Sequence, residues 1–102
     1  MDEKAFKDRT KQFALAVVTL VEALPRSRAP DVLGRQLLRC GTSVGANYRA
    51  ACRGRSTSDV VAKLGIVEEE ADESIYWMEL PTDSGLFQLN DSCLSRKRRM
   101  NS

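Results

Sequence analysis

Three stretches of this chain place apolar residues at helical spacing, each bounded by proline, glycine or a capping residue. That pattern restricts the fold more than any other feature. In the first stretch Phe6, Phe13, Val17, Leu20 and Leu24 recur at steps of seven, four, three and four, with Thr10 in the gap. At about 100° per residue they fall within one narrow stripe. Leu15 and Val18 lie off it, which predicts apolar neighbours on two sides of this helix. Pro25 ends the segment, and Pro30 with Asp31 signals the next start.

The second helix is expected from Asp31 to about Arg53, with Leu33, Leu37, Cys40, Val44, Tyr48 and Ala51 on its apolar face. Gly34, Gly41 and Gly45 interrupt it, each at a cost of roughly 1 kcal/mol against alanine. Gly41 lies at the edge of the apolar face. There a missing side chain either admits a neighbouring helix closely or leaves the helix weak and kinked. Gly54, Arg55 and Ser56 then break the pattern, and Ser56 with Asp59 reads as a variant capping box. The third helix carries Val60, Leu64, Val67, Ala71, Ile75 and Met78 on one face, and Pro81 is expected to stop it. The fold class is therefore all-α: an antiparallel up-down helix bundle of three long helices with a truncated or degenerate fourth. The bundle domain spans residues 1–90. Residues 91–102 read as a basic, disordered tail containing Ser95-Arg96-Lys97-Arg98-Arg99.

Composition narrows the function classes. With 102 residues there is room for one domain. No apolar run approaches the ~18 residues that span a bilayer, and the charged N-terminus lacks an apolar signal core, so a cytoplasmic location is expected. There is no histidine, which removes the commonest metal ligand and general base together. Cys40, Cys52 and Cys93 are widely spaced and read as reduced structural thiols. No catalytic residue, metal, cofactor or small-molecule substrate is expected.

The net charge of +2 conceals an asymmetry. Residues 26–55 carry seven basic and one acidic side chain, while residues 56–80 carry one basic and seven acidic. Arg35, Arg39, Arg49 and Arg53 fall within about 80° of one another on the second helix, opposite its apolar face. They form either a solvated face answered by Glu69, Asp72 and Glu73 of this or a neighbouring chain, or a strip of guanidinium forks matched to phosphate oxygens. No aromatic platform or nucleic-acid motif accompanies them.

One stretch is distinctive: Gln36-Leu37-Leu38-Arg39-Cys40-Gly41-Thr42-Ser43-Val44-Gly45-Ala46-Asn47, followed by Glu70-Ala71-Asp72-Glu73-Ser74-Ile75-Tyr76-Trp77. Over residues 6 to about 89 the chain resembles the four-helix bundle family of proteins encoded in intervening sequences of bacterial 23S rRNA genes. That family includes the accessory protein of diversity-generating retroelements, which works beside a reverse transcriptase and its RNA. The resemblance implies a four-helix up-down bundle, assembly as a homo-oligomer, typically a pentamer, and a basic surface suited to RNA or a nucleoprotein.

The shared polar residues read as structural. A half-buried polar group needs a partner, so Asn47 or Ser43 is expected to bond Glu70, with Arg39 or Glu73 extending a network that fixes helix register. A catalytic pair of Glu70 and Glu73 is the rival reading, with no nucleophile or metal ligand beside it. The sequence departs from the family at its end. Codons for residues 95–101, read one base out of phase, can spell Thr-Glu-Ala-Glu-Asn-Glu, close to the family's fourth helix. A frameshift is therefore expected to have replaced that helix with the basic tail. The function expected is a non-enzymatic oligomeric subunit that binds RNA or a nucleoprotein through its arginine face. The alternative is an assembly subunit whose arginines make subunit contacts.

Overall fold

The computed structural model describes residues 2–85. These form three helices, α1 (Glu3–Glu22), α2 (Arg28–Cys52) and α3 (Thr57–Asp83), with no strand among the described residues. The expected fourth helix and the basic tail lie outside the described residues.

Helices α1 and α3 each begin at a side chain that caps them. Asp2 Oδ1 accepts from the Ala5 N–H at 2.7 Å, and Ser56 Oγ accepts from the Asp59 N–H at 3.1 Å. Such caps satisfy amide donors that the first turn leaves unpaired. The capping box is not closed as expected, because Asp59 Oδ2 accepts from the Arg55 N–H rather than that of Ser56. Asp59 also receives Lys63 Nζ at 2.6 Å, and these bonds hold its carboxyl below the usual aspartate value.

Two boundaries differ from the sequence expectation. Helix α2 starts at Arg28, behind an extended Ser27, so Pro30 lies in its first turn. Amides there have no intrahelical partner, and a missing N–H costs nothing. Helix α3 runs through Pro81 to Asp83. Proline removes its own N–H, but later amides still donate: Ser84 N–H reaches the Leu80 carbonyl at 3.0 Å. Gly85, at φ 80°, then adopts the left-handed conformation that favours glycine at a helix exit.

Helix α2 is the hub. It packs against both α1 and α3, whereas no Cα of α1 comes within 8 Å of one of α3. The glycines explain the first contact. A Cβ at Gly34 would meet Val21, one at Gly41 would meet Val17, and one at Gly45 would meet Thr10. The pairs ascend α1 as they descend α2, and the Phe6 and Tyr48 rings meet edge-on at 4.6 Å in the same register. The glycines therefore mark close packing, not a kink. Val17, Leu24, Leu37, Cys40, Val44, Ala51 and Val67 form the buried core.

The stripe expected on α3 is only partly buried. Val67 is buried, but Leu64 and Ile75 are exposed. Helix α3 instead turns Val67, Ser74 and Pro81 inward. Ser74 is fully buried and returns its hydroxyl to the Glu70 carbonyl at 2.8 Å, so it adds no unpaired polar group to this close contact. The other edge of the stripe faces an open groove of about 300 Å³, lined by Phe6, Phe13, Val44, Ala71 and Ile75 among others. Leu15 and Val18, expected to meet a second neighbour, are exposed.

Candidate functional site

The register between α2 and α3 is set at one polar cluster. Arg39 Nη2 lies 3.2 Å from Glu73 Oε1, and Nη1 lies 3.6 Å from Glu70 Oε2. The guanidinium is steadied from its own helix by Gln36 Oε1, which accepts from Nε at 3.3 Å and from Nη2 at 3.2 Å. Cys40, fully buried, donates its thiol to Glu73 Oε1 at 3.6 Å. Burial pushes that thiol up to about 11, with Glu73 and Glu70 adding to the shift and Arg39 opposing it.

The network expected from the sequence is thus present in part. Arg39, Glu70 and Glu73 meet, but Asn47 and Ser43 do not join them. Asn47 Nδ2 donates to the Ser43 carbonyl at 2.9 Å, and Ser43 Oγ donates to the Arg39 carbonyl at 2.6 Å. Both side chains find partners one turn back on their own helix, which is a shorter reach than crossing to α3. Among the described residues Glu70 Oε2 is consequently buried with no hydrogen bond, held by the Arg39 charge alone. Sequence reasoning missed Cys40 and Gln36 as members. Gln36 carried a signal, since it stands three residues before Arg39 and shares its side of the helix.

Cys40, Glu70 and Glu73 bring their ligand atoms within 4.8 Å of one another. The charge that this cluster receives is already supplied by the Arg39 guanidinium, which pairs with both carboxylates. The arrangement locks two helices in register and leaves the thiol protonated at neutral pH.

The arginine strip divides once the helices are in place. Arg35, Arg39 and Arg49 are exposed on α2, and Arg53 is exposed at its C-cap. Arg39 is committed to α3. Arg35 donates only to its own helix, from Nε to the Asp31 carbonyl at 3.4 Å. The Arg49 and Arg53 guanidiniums have no acidic partner among the described residues. Glu69 and Asp72, expected to answer this charge, lie instead on a part of α3 shared with Glu73, Tyr76 and Trp77. No described helix is long and apolar enough to cross a membrane.

These features define a class: an all-helical packing unit whose central helix is buried on two sides and arginine-rich on its outer side. A family model for the 23S rRNA-intervening sequence protein matches residues 3–98, and the chain belongs to that family. The match extends the resemblance read from the sequence at both ends, into the segment assigned to the tail. The chain is also similar to the crystal structure of a protein of unknown function from the S23 ribosomal protein family of Bacteroides thetaiotaomicron. That protein is 38% identical over 82% of this chain and 75% of its own, with a TM-score of 0.75. A comparison with curated proteins finds no match.

Proposed function

We infer that the chain is a non-enzymatic subunit of the antiparallel up-down bundle type, which assembles with copies of itself and binds RNA through the outer face of α2. The observation that carries this reading is the set of exposed guanidiniums at Arg35, Arg49 and Arg53, unanswered by any carboxylate among the described residues. Unpaired arginines on a rigid helix offer preorganised forks to phosphate oxygens. Their arrangement suits backbone contact more than base readout, because the one aromatic side chain of α2, Tyr48, is engaged with Phe6 and not with a free base. The open groove between α1 and α3 supports the bundle half of the reading, since a further helix on that side would complete an up-down bundle.

The test is a gel shift with structured RNA, comparing the wild-type chain with Arg35→Glu/Arg53→Glu. Both side chains are exposed, so the double variant is expected to fold normally and to lose most of its RNA affinity. Binding of wild-type strength by a folded double variant would contradict the assignment.

A further inference from the structure

The flank of α3 that carries Glu69, Asp72, Glu73, Tyr76 and Trp77 borders an open groove of about 530 Å³. Tyr76 is 53% exposed, and its ring meets Trp77 edge-on at 5.1 Å. Acidic and aromatic side chains are thus interleaved on one flank, where a carboxylate and the negative face of a ring both attract a cation. Glu68 and Glu79, both exposed, extend the acidic surface beyond Asp72 around the helix.

The cations nearest in the chain are already engaged. Arg39 pairs with Glu70 and Glu73. Lys63, the one basic side chain of residues 56–80, is held by Asp59 at 2.6 Å. Neither Glu69 nor Asp72 has a cationic partner among the described residues. The Trp77 indole N–H is also buried without an acceptor among them, although such a donor usually has one when buried. What the groove lacks is a positively charged segment of peptide. Its cations would answer the carboxylates and the rings, and its backbone carbonyls would lie beside the indole.

We propose that Arg96-Lys97-Arg98-Arg99 of the same chain, a segment outside the described residues, docks in this groove. Charge complementarity and reach select that occupant. The run is four consecutive cations set against a helix whose residues 56–80 carry seven acidic side chains and one basic. The eleven residues from Gly85 to Arg96 can extend roughly 36 Å. Back along α3, Tyr76 lies only about 14 Å from Gly85, and Glu69 about 24 Å. The connection therefore reaches every part of the groove. Over so short a link the run acts at an effective concentration on the order of millimolar, so contacts too weak to hold a free peptide still keep it in place. The contact goes beyond the RNA reading and uses none of Arg35, Arg49 and Arg53.

The chain has one tryptophan, Trp77, and it lines the groove. The test is its fluorescence in the full chain carrying Cys52→Ser, with a nitroxide quencher attached at Cys93. Cys40 is fully buried and escapes the label. A contact more than half formed should lower Trp77 emission about twofold relative to the unlabelled chain, at any protein concentration. Emission should recover at about 1 M salt, where the Debye length falls to about 3 Å. Glu69→Lys/Asp72→Lys changes two exposed positions and should also restore it, with helix content unchanged by circular dichroism. Full emission at low salt would overturn the proposal. So would quenching that survives the charge reversal, which would mean that other contacts bring Cys93 to Trp77. Quenching that grows with protein concentration would assign the groove to the tail of a second copy, and overturns it too.

Discussion

The substitution of glycine by alanine should have opposite signs at two positions of this chain. At Gly41 the new Cβ would sit 2.8 and 2.9 Å from the two methyls of Val17 and 3.1 Å from its Cβ. Val17 is 2% exposed, and a β-branched side chain in a helix has one strongly preferred rotamer. The methyls cannot swing away, so α1 itself must move. Overpacking of this kind costs about 1–3 kcal/mol, against a gain of about 1 kcal/mol from helix propensity. The net expectation is a loss of about 1 kcal/mol, a fall in Tm of roughly 4–8 °C for a domain this size. At Gly65 no atom of the described residues lies within 4 Å of the new methyl, and only the propensity gain remains, so Tm should rise by a similar amount. Thermal and urea melts followed by circular dichroism measure both, in dilute solution where the chain is dissociated. Adding Val17→Ala to Gly41→Ala should recover part of the loss, since the two residues share one contact. If Gly41→Ala stabilises the chain as much as Gly65→Ala does, glycine-mediated packing of α1 on α2 is wrong.

Other outcomes follow from the same geometry. Ser56→Ala removes the acceptor for the Asp59 N–H and should cost about 1 kcal/mol, read as a lower urea midpoint with an unchanged slope. Arg39→Ala removes the charge that compensates the buried Glu70 oxygen; the expected loss is about 1–3 kcal/mol, and Glu70→Gln in the same chain should recover part of it. The Cys40 thiol is raised from 9.0 to about 11 by burial, so the folded chain holds its proton where the unfolded chain releases it. Stability is therefore expected to be level below about pH 9 and to fall as pH rises from 9.0 towards 11. Replacing Cys40 with alanine should flatten that fall. In the folded protein at pH 8, iodoacetamide should label Cys52, which is half-buried, well before Cys40.

Much of the fold is legible in the sequence because helical periodicity and packing coincide in α1 and α2. Thr10, Val17 and Leu24 on the α1 stripe are buried, and so are Leu37, Cys40, Val44 and Ala51 on α2. The glycines of α2 were legible as packing positions, although only the structure shows that Val17, Val21 and Thr10 are what they admit. Helix α3 was harder to read. Its hydrophobic stripe is wider than the strip in contact with α2, so periodicity alone does not say which edge is buried, and the small polar Ser74 carries no apolar signal. The Pro81 boundary failed because proline breaks a helix through its own amide and the residues before it, not through those that follow. For the site, spacing placed Arg35, Arg39, Arg49 and Arg53 on one side of α2. It could not show that Arg39 belongs to α3, because the pairing depends on interhelical register. Asn47 and Ser43 were misassigned for a related reason: a carbonyl one turn back satisfies either side chain without any tertiary contact.

The salt dependence of RNA binding addresses the central claim most directly. Each phosphate contact releases condensed counterions and contributes about −0.7 to −0.9 to the slope of log K against log salt. Replacing Arg35 and Arg53 by alanine should make the slope of the wild-type chain shallower by roughly 1.4 to 1.8, with the helix content unchanged. A slope that stays the same after both guanidiniums are removed would show that the outer face of α2 does not meet the RNA backbone.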